Sequence, residues 1–216
     1  LSIKNLFSTD LFTDIQIKLE DETLYIFVKE RAIISKINIE GNELVETEQI
    51  LDSLKAVGIS QSKPYSKNLI DKVKQELIRL YYDNGRYSST VQVDELKLDN
   101  NLMELSLTIE EGDASKIKDI KIIGNKSFSN RQINSLIKSG PKYWFEVWSD
   151  KDVYNSTTLD QDIESIQNYY QDRGYAQFKL VSKQVNLSSD KKDIYITISI
   201  SEGDLFLLCS DGLSDL

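Results

Sequence analysis

Few residues in this chain could make or break a bond. It contains no histidine, and its one cysteine is Cys209. Without histidine it lacks the commonest general base, the commonest metal ligand and the side chain that titrates near neutrality. A single thiol can form neither an internal disulfide nor a cysteine-rich metal site. Carboxylates remain: Glu110-Glu111-Gly112 and Glu202-Gly203 stand at matching places near the ends of two long stretches. Paired carboxylates can do acid–base work, but at strand ends beside glycine they read more simply as linker residues. The run Tyr143-Trp144-Phe145-Glu146-Val147-Trp148 is the most aromatic in the chain. Tryptophan and tyrosine dominate binding hot spots, which makes Trp144 and Trp148 candidates for contact with a partner. The alternative is that the run folds over neighbouring helices and extends the core. No metal or cofactor site and no enzymatic activity are expected; the chemistry on offer is recognition.

The elements that would position these residues form an internal repeat. Ile37-Asn38-Ile39-Glu40-Gly41-Asn42 and Ile120-Lys121-Ile122-Ile123-Gly124-Asn125 are alternating apolar strands that end in Gly-Asn. Those two residue types most easily take positive φ and break a strand sharply. After the first, Thr47 is the expected N-cap of a helix carrying Ile50, Leu51, Leu54 and Val57, stopped at Gly58. Ser66 is expected to cap a longer helix with Leu69, Val73, Leu77, Leu80 and Tyr81 on its face, ended by Gly85. Strands at 87–98 and 102–109 follow. After the second Gly-Asn, Ser129 is expected to cap a short helix carrying Ile133, Leu136 and Ile137. A long helix carrying Leu159, Ile163, Ile166 and Tyr170 then ends at Gly174, with strands near 175–187 and 193–200. The pairs Tyr81-Tyr82 and Tyr169-Tyr170 read as helix-face packing with one ring at the rim. Ahead of both repeats, Ile15, Ile17 and Leu19 alternate, as do Leu24, Ile26 and Val28 across a loop at 20–22, which predicts a hairpin. Leu1 to Phe7 reads as a last helical turn or two. Residues 1–30 are thus expected to end a repeat that begins outside this sequence, so a missing signal peptide says nothing about location.

The second strand of each repeat changes phase. Val91 and Val93 are apolar at odd positions and Leu96 and Leu98 at even ones; Phe178 and Leu180 precede Val185 and Leu187. A strand has period two, so the slip predicts a β-bulge in each. Bulges favour edge strands, which places this strand at the rim of its sheet.

The chain has 216 residues, 40% of them hydrophobic and 28% charged, with a formal net charge of −9. That composition supports folded domains with real cores. No basic stripe with interleaved aromatics is present, which excludes a nucleic-acid partner and disfavours docking on an anionic lipid surface. No apolar run reaches membrane-spanning length.

A β-α-α-β-β unit whose first strand ends in I-x-I-x-G-N resembles the POTRA (polypeptide-transport-associated) domain. Asp172-Arg173-Gly174-Tyr175-Ala176-Gln177-Phe178, Asp190-Lys191-Lys192-Asp193-Ile194-Tyr195 and Glu202-Gly203-Asp204 look like the third POTRA domain of outer-membrane assembly factors. Tyr81-Tyr82-Asp83-Asn84-Gly85-Arg86-Tyr87-Ser88 looks like the second. Asn5-Leu6-Phe7-Ser8-Thr9-Asp10-Leu11-Phe12 looks like the later half of the first, with Asp10 where glycine is usual. The resemblance implies an α+β fold of tandem POTRA domains, each a three-stranded sheet covered by two helices, with the third strand central and the second at the edge. It divides the chain into part of a first domain (1–30), a second (31–112), a third (113–203) and an atypical tail (204–216). It implies a periplasmic arm at the bacterial outer membrane, ahead of a β-barrel of the same protein. The implied partners are unfolded outer-membrane proteins, lipoproteins of the assembly machinery and a periplasmic chaperone. A POTRA arm of a related secretion transporter is the alternative.

An edge strand offers unpaired backbone N–H and C=O groups that accept any extended peptide. The expected client-binding residues are therefore Tyr175, Ala176, Gln177, Phe178, Lys179, Leu180, Val181, Ser182 and Lys183, with Tyr87, Val91 and Val93 on the equivalent edge. The opposing reading is that Lys179, Lys183 and Asp94 blunt these edges. The tail departs from the POTRA pattern: Leu207-Leu208-Cys209-Ser210-Asp211-Gly212 looks like the metal-binding strand-turn of PPM-type protein phosphatases, where Asp211 would be the ligand. One carboxylate is not a two-metal site, and the tail reads as foreign or mis-joined.

Overall fold

A computed structural model of the chain describes residues 9, 11–142, 146 and 148–205. The expected helical turn at Leu1–Phe7 and the Asp211 motif lie outside them. The chain divides into two compact units, Leu1–Leu80 with Ser89–Glu111, and Tyr81–Ser88 with Gly112–Leu216.

In the first unit, β1 (Phe12–Glu20) and β2 (Thr23–Glu30) form the expected antiparallel hairpin, pairing Ile15 with Val28, Ile17 with Ile26 and Leu19 with Leu24. Asp21 and Glu22 turn it with φ of 46° and 63°, the double positive φ that tight hairpins require. Then come β3 (Ile33–Glu40), α1 (Thr47–Ala56), α2 (Lys67–Asp83), β4 (Thr90–Leu98) and β5 (Leu102–Glu110). The sheet order is β3-β5-β4, with β3 parallel and β4 antiparallel to β5. A parallel pair needs a crossover, and the two helices supply it. The second unit repeats the plan with β6 (Lys116–Ile123), α3 (Asn130–Asn134), α4 (Ser156–Gln171), β7 (Lys179–Leu187) and β8 (Asp193–Ser201), in the order β6-β8-β7. The fold is α+β, with the third strand of each repeat central.

Alternation makes the central strands the floor of each core. Met103, Leu105, Leu107 and Ile109 are buried along β5, and Ile194, Ile196, Ile198 and Ile200 along β8. On α4 all four expected residues, Leu159, Ile163, Ile166 and Tyr170, are buried. On α1 only Ile50 and Leu54 are, while Leu51 and Val57 stay exposed. On α2 the expected Leu77 and Tyr81 are buried and Leu69 and Val73 half-buried; Ile70 joins the buried set, and only Leu80 of the expected face remains exposed. Tyr81 and Tyr170 are fully buried, and Tyr82 lies at the rim. Ser129 caps α3 in a reciprocal capping box with Gln132, as expected. The N-cap of α1 is Glu46 and not Thr47: Glu46 keeps extended backbone and its carbonyl accepts from Ile50 N, while the Thr47 hydroxyl accepts from Asn42 Nδ2 at 3.0 Å.

Both Gly-Asn turns are held by the same clasp. A Cβ on Gly41 would collide with the Ile109 carbonyl, and one on Gly124 with the Ile200 carbonyl; φ is +83° and +99°. Asn42 Nδ2 donates to the Val45 carbonyl (2.8 Å), and Asn125 Nδ2 to the Phe128 carbonyl (3.1 Å). Glu111 Oε1 accepts from the backbone N–H groups of Glu43 and Leu44, both at 2.7 Å. Glu202 Oε1 accepts from those of Lys126 and Ser127 at 2.7 and 2.8 Å, and from the Tyr170 hydroxyl at 3.0 Å. Glu202 Oε2 accepts from Ser127 Oγ at 2.8 Å. Glu111 and Glu202 are therefore structural anchors, which corrects their reading as linker residues. Burial pushes the Glu202 carboxyl up, but its hydrogen bonds with Ser127, Tyr170 and Lys126 outweigh burial and hold it below its ordinary 4.5. The Tyr170 phenol is raised, by burial first and by Glu202 second.

Two outcomes test the clasp. Gly124→Ala forces the turn against backbone that cannot yield, and should destabilise the second unit by at least about 2 kcal/mol in urea denaturation. An unchanged midpoint would show that the turn relaxes freely. Glu202 titrates lower folded than unfolded, so its stabilisation is complete above the unfolded value and is lost as pH falls through the folded one. Stability should drop below about pH 4.5. Glu202→Gln should flatten that part of the profile, and an identical acid limb in the variant would refute the assignment.

Candidate functional site

Every three-stranded sheet has two rims, and here they differ. The start of each first strand is covered by the segment between the helices. Ile34 N donates to the Lys63 carbonyl at 2.9 Å and Ser62 N to the Ile34 carbonyl at 2.8 Å, with a bridge from Ile33 to Pro64. In the second unit Ile117 N donates to the Asp152 carbonyl at 2.6 Å, Lys116 bridges to Val153, and its ammonium lies 3.2 Å from the Asp152 carboxylate. The second strands carry no such cover: among the described residues β4 pairs only with β5, and β7 only with β8. Each presents one full side of backbone donors and acceptors.

The β7 rim is bulged. Its pairing with β8 shifts between Leu180 and Ser182, which leaves Val181 as the extra residue, 65% exposed. That agrees with the phase slip read from the sequence. The expected bulge in β4 is absent; its register to β5 runs without a shift from Thr90–Glu110 to Leu98–Leu102. The change of residue type there has another cause. Val91 and Val93 face the core opposite Ile109 and Leu107, whereas Leu96 and Leu98 lie on the outer face and are exposed. Two further bulges fall in the first strands, at Ile34/Lys36 and Ile117/Asp119. They carry a legible signal, since Ile34 is out of phase with Ile37 and Ile39, and Ile117 with Ile120 and Ile122.

The structure shortens the expected β7 site. Tyr175, Ala176, Gln177 and Phe178 precede the strand. Tyr175 N donates to the Tyr170 carbonyl and Phe178 N to the Tyr175 carbonyl, so they form the turn that closes α4. Phe178 is 5% exposed, its ring stacked 4.8 Å from that of Tyr170, and it offers no binding surface. Lys179, Leu180, Val181, Ser182 and Lys183 lie on the edge strand itself, which continues to Leu187. Lys183 shares a face with Ile198 and reaches back to Asp160 on α4, Nζ to Oδ1 at 2.5 Å. On the other rim Tyr87 lies ahead of β4, half-buried with its ring 5.4 Å from that of Tyr82. Val91 is 2% exposed and Val93 half-buried, so both belong to the core and only their backbone belongs to the rim. Trp144 lies outside the described residues; Trp148 is 98% exposed, which removes it from any core. Asp162, missed by sequence reasoning, is buried and accepts from the backbone N–H groups of Lys138 and Ser139 at 2.8 and 2.9 Å, tying α4 to the segment after α3.

Among the described residues no cluster of three or more histidine, cysteine, aspartate or glutamate side chains is placed to hold a metal. No helix among them is long and apolar enough to cross a membrane.

Comparison with known proteins gives a consistent set of relatives. The outer membrane protein assembly factor BamA of Buchnera aphidicola subsp. Acyrthosiphon pisum is 32% identical over 203 residues, covering 94% of this chain and 33% of that protein. BamA of Neisseria meningitidis serogroup B is 28% identical over 207 residues, covering 94% of this chain and 26% of that protein. The chain thus spans a quarter to a third of the length of these relatives. The crystal structure of Haemophilus influenzae BamA POTRA3-5 aligns with 81% of this chain and 67% of that one, at 16% identity and a TM-score of 0.45. The family model for POTRA, described as a surface antigen variable number repeat, matches residues 32–112 and again 115–203. Each match spans one β-α-α-β-β unit with its Gly-Asn clasp, and the chain belongs to the POTRA family.

Proposed function

We propose that this chain is part of the periplasmic arm of an outer-membrane protein assembly factor, a non-enzymatic scaffold that receives unfolded outer-membrane proteins by strand addition. The observation that carries this reading is the uncovered rim of β7, from Lys179 to Leu187, beside first-strand rims that are covered at their starts. The BamA names of the relatives support the assembly role. Segments destined for a β-barrel alternate apolar and polar side chains, and so match the pleat of a rim strand. Assembly lipoproteins, a periplasmic chaperone and the protein's own β-barrel are the further partners of this reading, and Trp148 is a candidate contact for one of them.

The energetics favour a handover surface. Each backbone hydrogen bond contributes about 0.5–1.5 kcal/mol net. Ordering the client costs about 1–2 kcal/mol per residue. These terms nearly cancel, so binding is weak and reversible. A tight receptor would need deep side-chain pockets beside the rim. Along β7 the core-facing Val185 and Leu187 already pack against the sheet's own core.

A solution NMR titration with a peptide copied from an outer-membrane barrel strand should move resonances of Lys179–Leu187, with a Kd in roughly the millimolar range. N-methylation of alternate peptide nitrogens removes donors without changing side chains, and should abolish those shifts. Shifts centred on Trp148, or insensitive to N-methylation, would replace strand addition with side-chain docking. The non-enzymatic part has its own test. With Mn²⁺ and an aryl phosphate the chain should show no hydrolysis above buffer, whereas hydrolysis lost in Asp211→Asn would overturn it.

A further inference from the structure

The two open rims carry opposite charge on their outer faces. On β7 the charged side chains are Lys179 and Lys183, and the strand has no carboxylate. Lys183 is turned to the helix side and held by Asp160; Lys179, opposite Ser201 on the outer face, has no ion-pair partner among the described residues. The outer-face neighbours across the pair, Tyr195, Thr197, Ser199 and Ser201, are all uncharged. The β4 rim has the reverse sign on its outer face only, since Glu95 and Lys97 both lie on the helix-facing side. Its outer face carries Asp94, and across the pair stand Glu104 and Glu110. Glu104 is bonded by Asn38 and lies 3.9 Å from the Lys36 ammonium, and Glu110 accepts from Thr90.

An added strand sets its alternate side chains about 5 Å from those of the rim strand on the same face, within reach of a lysine ammonium. We propose that the β7 rim selects extended, alternately apolar segments that carry aspartate or glutamate on the outward-facing set, next to Lys179, and that the β4 rim rejects them. The inference rests on the strand-addition reading. It reassigns the lysines of β7 from pure blunting devices to a filter on the sign of the client. The whole chain, at −9, repels an acidic peptide at long range. A preference for acidic segments at β7 can therefore come only from the local lysine field.

The test uses the whole 216-residue chain and two peptides of identical apolar alternation, with glutamate at the outward polar positions in one and lysine in the other. At low salt the acidic peptide should shift Lys179–Leu187 with about fivefold tighter binding than the basic one, the scale of an exposed ion pair. The difference should vanish at high salt. Lys179→Glu should reverse the preference at β7 while leaving the spectrum of the free chain otherwise unchanged, since the residue is exposed. Equal affinity of both peptides at β7, or tighter binding of the basic one, would overturn the charge filter and leave strand addition standing. No shift at β7 from either peptide would overturn both and return the lysines to a blunting role.

Discussion

The architecture of each repeat depends on one close approach, the glycine of Gly-Asn laid against the carbonyl near the end of the third strand. Gly41 meets Ile109, and Gly124 meets Ile200. Two residues beyond each carbonyl, Glu111 or Glu202 gathers the two backbone N–H groups that follow the Asn. The last turn of the first strand is thereby tied to the last turn of the third. With the parallel pair locked at that end, the third strand lies central, and the second, joined to it by a tight turn, can only lie outside it. The open rim is a topological consequence of the clasp.

That dependence explains which parts were legible in the sequence. Periodicity and glycine placement located the hairpin, both sheets and α4, because alternation in β5 and β8 and the 3.6-residue spacing of Leu159, Ile163, Ile166 and Tyr170 report burial directly. Glu111 and Glu202 were legible only as a recurring phrase, since their role lies in backbone N–H groups some seventy-five residues earlier for Glu202, a separation no local pattern records. The same limit hid Asp162. The β4 bulge failed for a different reason. Glu95 and Lys97 lie on the helix-facing side of that strand and are still exposed. There the pattern reports where cover ends, and the backbone stays regular.

The candidate site was legible in place but not in content. Sequence reasoning chose side chains, and drew in Phe178, Val91 and Val93 because strand patterns are read from apolar residues. Those residues are apolar because the core takes them. What a rim offers a partner is backbone, identical at every position, and only topology shows which side of which strand is unpaired.

In the proposed strand addition, a rim built this way gains a fourth strand and loses it again without disturbing the domain. The core-facing Val185 and Leu187 of β7 pair across to Ile196 and Ile194 and already pack on the domain's own core, while Leu180, opposite Ile200, stays 40% exposed. An added strand brings backbone bonds and the contacts of its own side chains, so its affinity cannot draw on the cohesion of the domain. The clasp at Ile200, the residue that pairs with Leu180, keeps that end of the sheet in register meanwhile. The bulge at Val181 adds local twist and breaks the rim into two short runs, Lys179–Leu180 and Ser182–Leu187, which limits how long a segment can pair without strain. Permanent edge-to-edge association needs long, flat, uninterrupted rims. A short, bulged and charged one can stay open to transient partners without becoming a site of aggregation.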